Sequence, residues 1–156
     1  MGWSAFIEIL AATVGTFGFG FVFHLRGKKL FSATFGGCLG WILFLLFGFL
    51  IESEVIRYFI VSLIVSLYGE LMARLLKTPT TVFSIVCLVP FVPGSSLYYT
   101  MTSAFAGDLD GLLHNGSNTL ELAAALSFGV VIVSTAVVYI KKHFFQKENG
   151  GTATKG

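Results

Sequence analysis

The sequence predicts an all-α integral membrane protein, a bundle of five transmembrane helices whose fourth span is broken by proline and glycine. Hydrophobic residues make up 55% of the 156 positions and charged residues only 12%, whereas a soluble domain carries about a quarter charged residues. The apolar residues fall into five runs of the length, about 20 residues, that a helix needs to cross a bilayer. The net charge is only +2 and the basic residues form no patch, so we expect no nucleic-acid partner.

The five spans follow one another with short polar connections. "RGKK" (26–29), "ESE" (52–54), "RLLKTP" (74–79) and "GDLDGLLHNGSN" (107–118) end the first four runs. Residues 1–142 are expected to form a single transmembrane domain. Residues 143–156 turn polar and Gly-rich, which predicts a disordered cytoplasmic tail. The spans are predicted at residues 4–25, 30–51, 56–76, 80–106 and 118–140.

The distribution of charge predicts an orientation. Lys and Arg mark cytoplasmic loops, and here they cluster after spans one, three and five, whereas acidic residues occupy the other two connections. Only Arg57 is on the opposite side, beside "ESE". The N-terminus is therefore expected outside and the C-terminus in the cytoplasm. A re-entrant fourth segment would place the basic tail outside, so the charges favour a crossing.

Small residues recur four positions apart in three of the spans. This spacing lets helices approach closely in lipid, and we interpret it as packing. The pairs are Ala11 with Gly15, Gly36 with Gly40, and Ser62 with Ser66.

The fourth span, residues 80–106, is too long for one straight helix across about 30 Å of hydrocarbon. Pro90 and Pro93 lack amide hydrogens and push their predecessors out of helical angles, and Gly94 tolerates unusual angles. We expect a helix at about 80–89, an unwound turn at 90–94, and a second helix at about 96–106. Ser95 and Ser96 are candidate N-caps.

The start of the second half-helix is the predicted substrate site. A helix N-terminus presents free amides and a positive dipole end, which bind carboxylates, and broken helices are recurring substrate sites in transporters. The alternative is a proline kink that only shapes packing. The predicted substrate-binding residues are Pro93, Gly94, Ser95, Ser96, Tyr98 and Tyr99.

Glu70 is the carboxylate expected deepest in the membrane, where ionisable residues are usually functional. Arg74 is four residues further along, on the same helical face. The two residues either form a structural ion pair or serve in proton coupling and gating. Glu8 and Glu121 lie about one turn inside the outer ends of their spans and are expected to reach the interface.

No enzyme motif is present, so catalytic residues, metals and cofactors are not expected. Cys38 and Cys87 form no CxxC pair and are interpreted as small packing residues.

The stretch "GELMARLLKTPTTVFSIVCLVPFVPGSSLYYTM" (69–101) resembles the threonine/serine exporter family (ThrE), in its short five-span unit. "GFGFVFHL" (18–25) is similar to the ending of the family's first span, with His24 where Asn is common. Pro93, Gly94, Ser96 and Tyr98 fall on the family's motif.

The resemblance implies a subunit of a secondary exporter of threonine, serine or similar small amino acids in the bacterial inner membrane. It implies a partner, a larger ThrE-like membrane subunit, so that this chain would be half of a transporter. Homo-oligomers are a further possibility. Two alternatives stay open: export of dicarboxylates such as succinate, and a scaffold subunit that does not transport.

Overall fold

The computed structural model describes residues 2–150, with side chains described from Trp3 to Ile140 and at Lys142. Within these described residues, four helices are long and apolar enough to cross a membrane, and a bent helix pair counts as a fifth span if it crosses as one unit. The predicted class, a helical membrane bundle, is confirmed. The elements are α1 (Gly2–Val22), α2 (Lys28–Phe47), α3 (Glu54–Leu75), α4 (Thr80–Leu88), a 3₁₀ turn (Val89–Phe91), α5 (Gly94–Ala106) and α6 (Leu109–Gly150).

The connection between α5 and α6 is shorter than predicted. Gly107 ends α5 in the left-handed conformation at φ 71°, which glycine adopts without steric cost. The Asp108 carboxylate then accepts a hydrogen bond from the Gly111 amide at 3.0 Å, in the first turn of α6. The chain therefore reverses within two residues.

Most of the loop predicted at residues 107–118 is in fact helix, because α6 starts at Leu109. The asparagine and serine side chains that suggested a loop do not disrupt this helix. Asn115 and Asn118 instead form hydrogen bonds with α5. At the other end, the backbone of α6 continues to Gly150, where a disordered tail was expected. Residues 151–156 of that tail lie outside the described residues.

Glycines allow the helices to pack closely. A Cβ on Gly129 of α6 would clash with the Ser62 side chain of α3. On α2, a Cβ on Gly37 would clash with Thr16, and one on Gly40 would lie 2.6 Å from Val65. Such approaches bring helix backbones together in lipid. The predicted packing role of Gly40 and Ser62 is confirmed.

Helix α6 runs parallel to α3, and its first residues extend past the N-terminal end of α3. Val55 near the start of α3 lines the same groove as Glu121, and Ser62 faces Gly129. At 1.5 Å per residue, residues 109–120 of α6 therefore extend roughly 15–18 Å past the first turn of α3. Helix α5 packs alongside this extension. We call residues 94–120 the outer arm.

Candidate functional site

The predicted break in the fourth span is present. Helix α4 ends at Leu88, a 3₁₀ turn follows, and Val92 is extended with ψ 124° before α5 begins at Gly94. The helices before and after the break are bent by 62°. Pro90 and Pro93 cannot donate the amide hydrogen bonds of a continuous helix, which explains why the bend falls here.

An aromatic cluster anchors the break. The Phe91 ring is 2% exposed and lies 5.7 Å from the Trp41 ring and 6.2 Å from the Phe44 ring, between centroids. Phe44 is three residues from the end of α2 at Phe47. The break is therefore held against the second half of α2.

The N-terminus of α5 is not capped by a side chain. Pro93 takes the N-cap position, so the predicted caps Ser95 and Ser96 are already inside the helix. The Gly94 amide donates to the Val92 carbonyl at 2.6 Å and the Leu97 amide to the Pro93 carbonyl at 3.0 Å. Between them, the amides of Ser95 and Ser96 donate to no acceptor in the described part of the chain. Free amides at a helix start suit an anion.

Three of the seven hydroxyl side chains of α5 face α6. Ser96 accepts a hydrogen bond from the Asn118 amide at 3.4 Å, and Ser103 accepts one from Asn115 at 3.3 Å. The hydroxyls of Thr100 and Thr119 lie 3.1 Å apart. We call this row the polar seam: Ser96, Thr100 and Ser103 of α5 with Asn115, Asn118 and Thr119 of α6.

The remaining predicted site residues point elsewhere. Tyr98 and Tyr99 are 66% and 58% exposed and pack edge to face, with ring centroids 5.6 Å apart. A Cβ on Gly94 would meet nothing within 4 Å, so this position is open. None of the six predicted substrate residues lines either of the two cavities described below. Within this chain, the six residues lie at or near the break, but they do not line a common pocket.

A cavity of about 290 Å³ lies next to the break, between α1, α2 and the 3₁₀ turn. The sequence interpretation missed Glu8 as a cavity residue, because this contact joins helices far apart in the chain. The available signal was the small residues that follow it on α1. The lining consists of Glu8, Ala11, Ala12 and Gly15 of α1, the Trp41 ring of α2, and Val89 and Pro90 of the break.

Glu70 and Arg74 form the predicted pair. Arg74 Nη2 lies 3.5 Å from Glu70 Oε2, a long contact for a hydrogen bond. Glu70 is buried, whereas the Arg74 side chain is 42% exposed. Ser62 and Ser66 are also buried and precede Glu70 at four-residue intervals, so they place a polar row on one face of α3.

A second groove, of about 550 Å³, lies between α3 and α6. Its lining is apolar apart from Glu121, and it includes Phe59 and Phe128. In the described part of the chain, no three His, Cys, Asp or Glu side chains are close enough together to hold a metal ion.

The sequence model of a protein family, described as threonine/serine exporter, ThrE, matches residues 8–136. The matched region contains α1 from Glu8 onward, the break, the outer arm and most of α6. No curated protein and no solved structure matches the chain. Because the family match covers most of the sequence, the chain belongs to the threonine/serine exporter family.

Proposed function

We propose that the chain is one membrane half of a secondary exporter of small amino acids such as threonine and serine, with the substrate bound at the broken helix. The observation that carries the proposal is the uncapped start of α5 at a 62° bend, in a member of an exporter family. Broken helices of this kind bind anionic groups in transporters through half-helix N-termini.

The substrate carboxylate would accept hydrogen bonds from the amides of Ser95 and Ser96, which have no other acceptor in the described chain. Gly94 leaves room for a ligand beside them. Pro93 fixes the turn, and Tyr98 and Tyr99 would close the site in the complete transporter. Glu70 and Arg74, at the opposite end of α3 from the arm, are proposed to couple or gate transport.

A second, larger membrane chain of the same family is the proposed partner. The polar seam of the outer arm lies between its two helices, whereas large apolar side chains face outward, including Met101, Phe105 and Leu113 at 51%, 85% and 71% exposure. The 22 residues of α3 span about 33 Å and already cross the hydrocarbon. The arm extends past that level, so lipid alone cannot cover its tip, whereas another helical membrane chain can.

The proposed location is the bacterial inner membrane, with the N-terminus outside and the C-terminus in the cytoplasm. Two other functions remain candidates: export of dicarboxylates such as succinate, which the free amides would also suit, and a scaffold subunit that does not transport. Export of amino acids and export of dicarboxylates both need the break for substrate binding, whereas a scaffold needs it only for assembly.

The test is export of labelled L-threonine from loaded cells that express the chain together with the larger subunit. We expect Gly94→Leu to reduce export at least about tenfold by filling the space beside the α5 amides. The complex should remain intact, because a Cβ at position 94 meets no neighbour within 4 Å. The matched control is Gly18→Leu on α1, where a Cβ also meets nothing. Wild-type export by Gly94→Leu would remove the break from the mechanism and favour the scaffold.

A further inference from the structure

The cavity beside Glu8 adds a second binding element to the break. We propose that it binds the ammonium group of the substrate, and that Glu8 thereby selects zwitterionic amino acids over dicarboxylates. The inference rests on the proposed export function and names the substrate class of the same site. The ammonium group of the substrate would lie against α1 and the end of α4, and its carboxylate would lie against the start of α5.

The size of the cavity suits a small substrate. Its volume of about 290 Å³ is at the lower end of the range for small-molecule sites. The space exists because the α1 side of the cavity is built from Ala11, Ala12 and Gly15. Larger side chains there would fill it. The break itself forms one wall, through Val89 and Pro90.

The charge of the cavity favours a cation. Among the described residues that line it, Glu8 is the only ionisable one, and the others are alanine, glycine, valine, proline and tryptophan. The Glu8 carboxylate attracts an ammonium group and repels a second carboxylate. A dicarboxylate would therefore place its second negative charge against Glu8, whereas an amino acid would place its ammonium group there.

The two half-helices provide complementary dipoles across the break. Helix α4 ends at Leu88 with its carbonyls directed toward the break, and this end carries partial negative charge. Pro90 has no amide hydrogen, so the Val86 carbonyl loses its helical donor. Helix α5 begins on the other side with partial positive charge at Ser95 and Ser96. A zwitterion matches both ends, and a dianion matches only one.

The experiment measures export of labelled L-threonine from cells that express the chain with the larger subunit, as a function of internal threonine. We expect Glu8→Gln to raise the apparent KM about tenfold, the loss expected for one charge-assisted hydrogen bond at a partly solvated position. Glu8→Asp should recover part of this loss. The matched control is Glu121→Gln, because Glu121 is also an exposed glutamate but lines the other groove. It should leave the KM unchanged.

A competition experiment tests the substrate class directly. In the wild-type complex, excess internal L-serine should reduce threonine export and excess succinate should not. In Glu8→Gln, the difference between the inhibition of threonine export by serine and by succinate should become smaller. An unchanged KM in Glu8→Gln, or equal competition by succinate in the wild type, would overturn the inference while export itself persists. If the wild-type complex exports neither threonine nor serine, the proposed function fails, and the inference fails with it.

Discussion

Among the acidic residues whose side chains the structure describes, Glu70 is the buried one. Its carboxylate is held on the inner face of α3, and its ion-pair partner Arg74 reaches partly into the surroundings, at 42% exposure of the side chain. The pair is therefore asymmetric. Removing the arginine leaves a buried carboxylate without its counter-charge, whereas removing the carboxylate leaves an arginine that can be solvated elsewhere.

We expect Arg74→Gln to lower the thermal unfolding midpoint of the detergent-purified chain more than Glu70→Gln does. An unpaired buried acceptor costs about 1–3 kcal/mol, whereas the loss of the partner of an exposed arginine costs little. The double variant should resemble Glu70→Gln. Fluorescence-detected size exclusion after heating measures all three. Equal losses in the two single variants would show that Glu70 has another counter-charge.

The Glu70–Arg74 pair was predictable because a four-residue spacing on a helix fixes which side chains meet. The position of Glu8 was not, since its cavity depends on how α1 packs against α2 and the break. The same limit applies to Ser96, whose hydroxyl was assigned to the substrate but lies in the polar seam with Asn118. Single residues are predictable where their partner is local in sequence.

Among the elements, the outer arm is the least covered by the rest of the chain. Helix α5 contains no fully buried residue, and its main contacts are with α6. The polar seam holds the two helices of the arm together, which leaves the apolar sides of both helices for another surface. This arrangement is typical of a segment that packs inside a larger membrane assembly.

We expect Phe105→Ser to reduce co-purification of the larger subunit at least about fivefold, because exposed aromatic side chains dominate protein interfaces. The control is Phe31→Ser on α2, which removes an equally large and 71% exposed side chain at the opposite end of the bundle. The ratio of the two subunits after affinity purification is the measurement. Equal effects of both substitutions would place the subunit interface elsewhere, and recovery of homo-oligomers alone would identify a second copy as the occupant.

The break was predictable to within about two residues, since two prolines and a glycine exclude a continuous helix. The start of α6 was not. "GDLDGLLHNGSN" has the composition of a loop, yet its asparagines are satisfied by hydroxyls of α5. A polar segment becomes helical in the interior of an assembly when a neighbouring helix supplies hydrogen-bond partners, and composition alone does not reveal that neighbour.

At the scale of the whole molecule, the parallel arrangement of α3 and α6 constrains the topology. Two parallel helices that both cross the membrane require an odd number of crossings from the end of α3 to the start of α6. The bent α4–α5 pair is the only segment between them, so it would cross as one unit. If the pair crosses, the chain has five spans, and its two ends lie on opposite sides of the membrane, as the predicted orientation requires.

We expect alkaline phosphatase fused after Asp108 to be active, and the same reporter fused after Lys77 or Gly156 to be inactive. The reason is that the basic connections and tail are retained in the cytoplasm. Green fluorescent protein fused after Gly156 should be fluorescent, which controls for expression. An active phosphatase at Gly156 together with an inactive one at Lys77 would show that α4–α5 is re-entrant and would reverse the orientation of α6.

The polar seam has a consequence for biosynthesis. Helix α5 has 13 residues, about 20 Å, and cannot cross the hydrocarbon alone. Outside α5 itself, its hydroxyls find partners at Asn115, Asn118 and Thr119, which are synthesised later. The contacts that hold α5 in place therefore form only after the ribosome has synthesised the first turns of α6, so a nascent chain that stops before Asn115 lacks the whole polar seam.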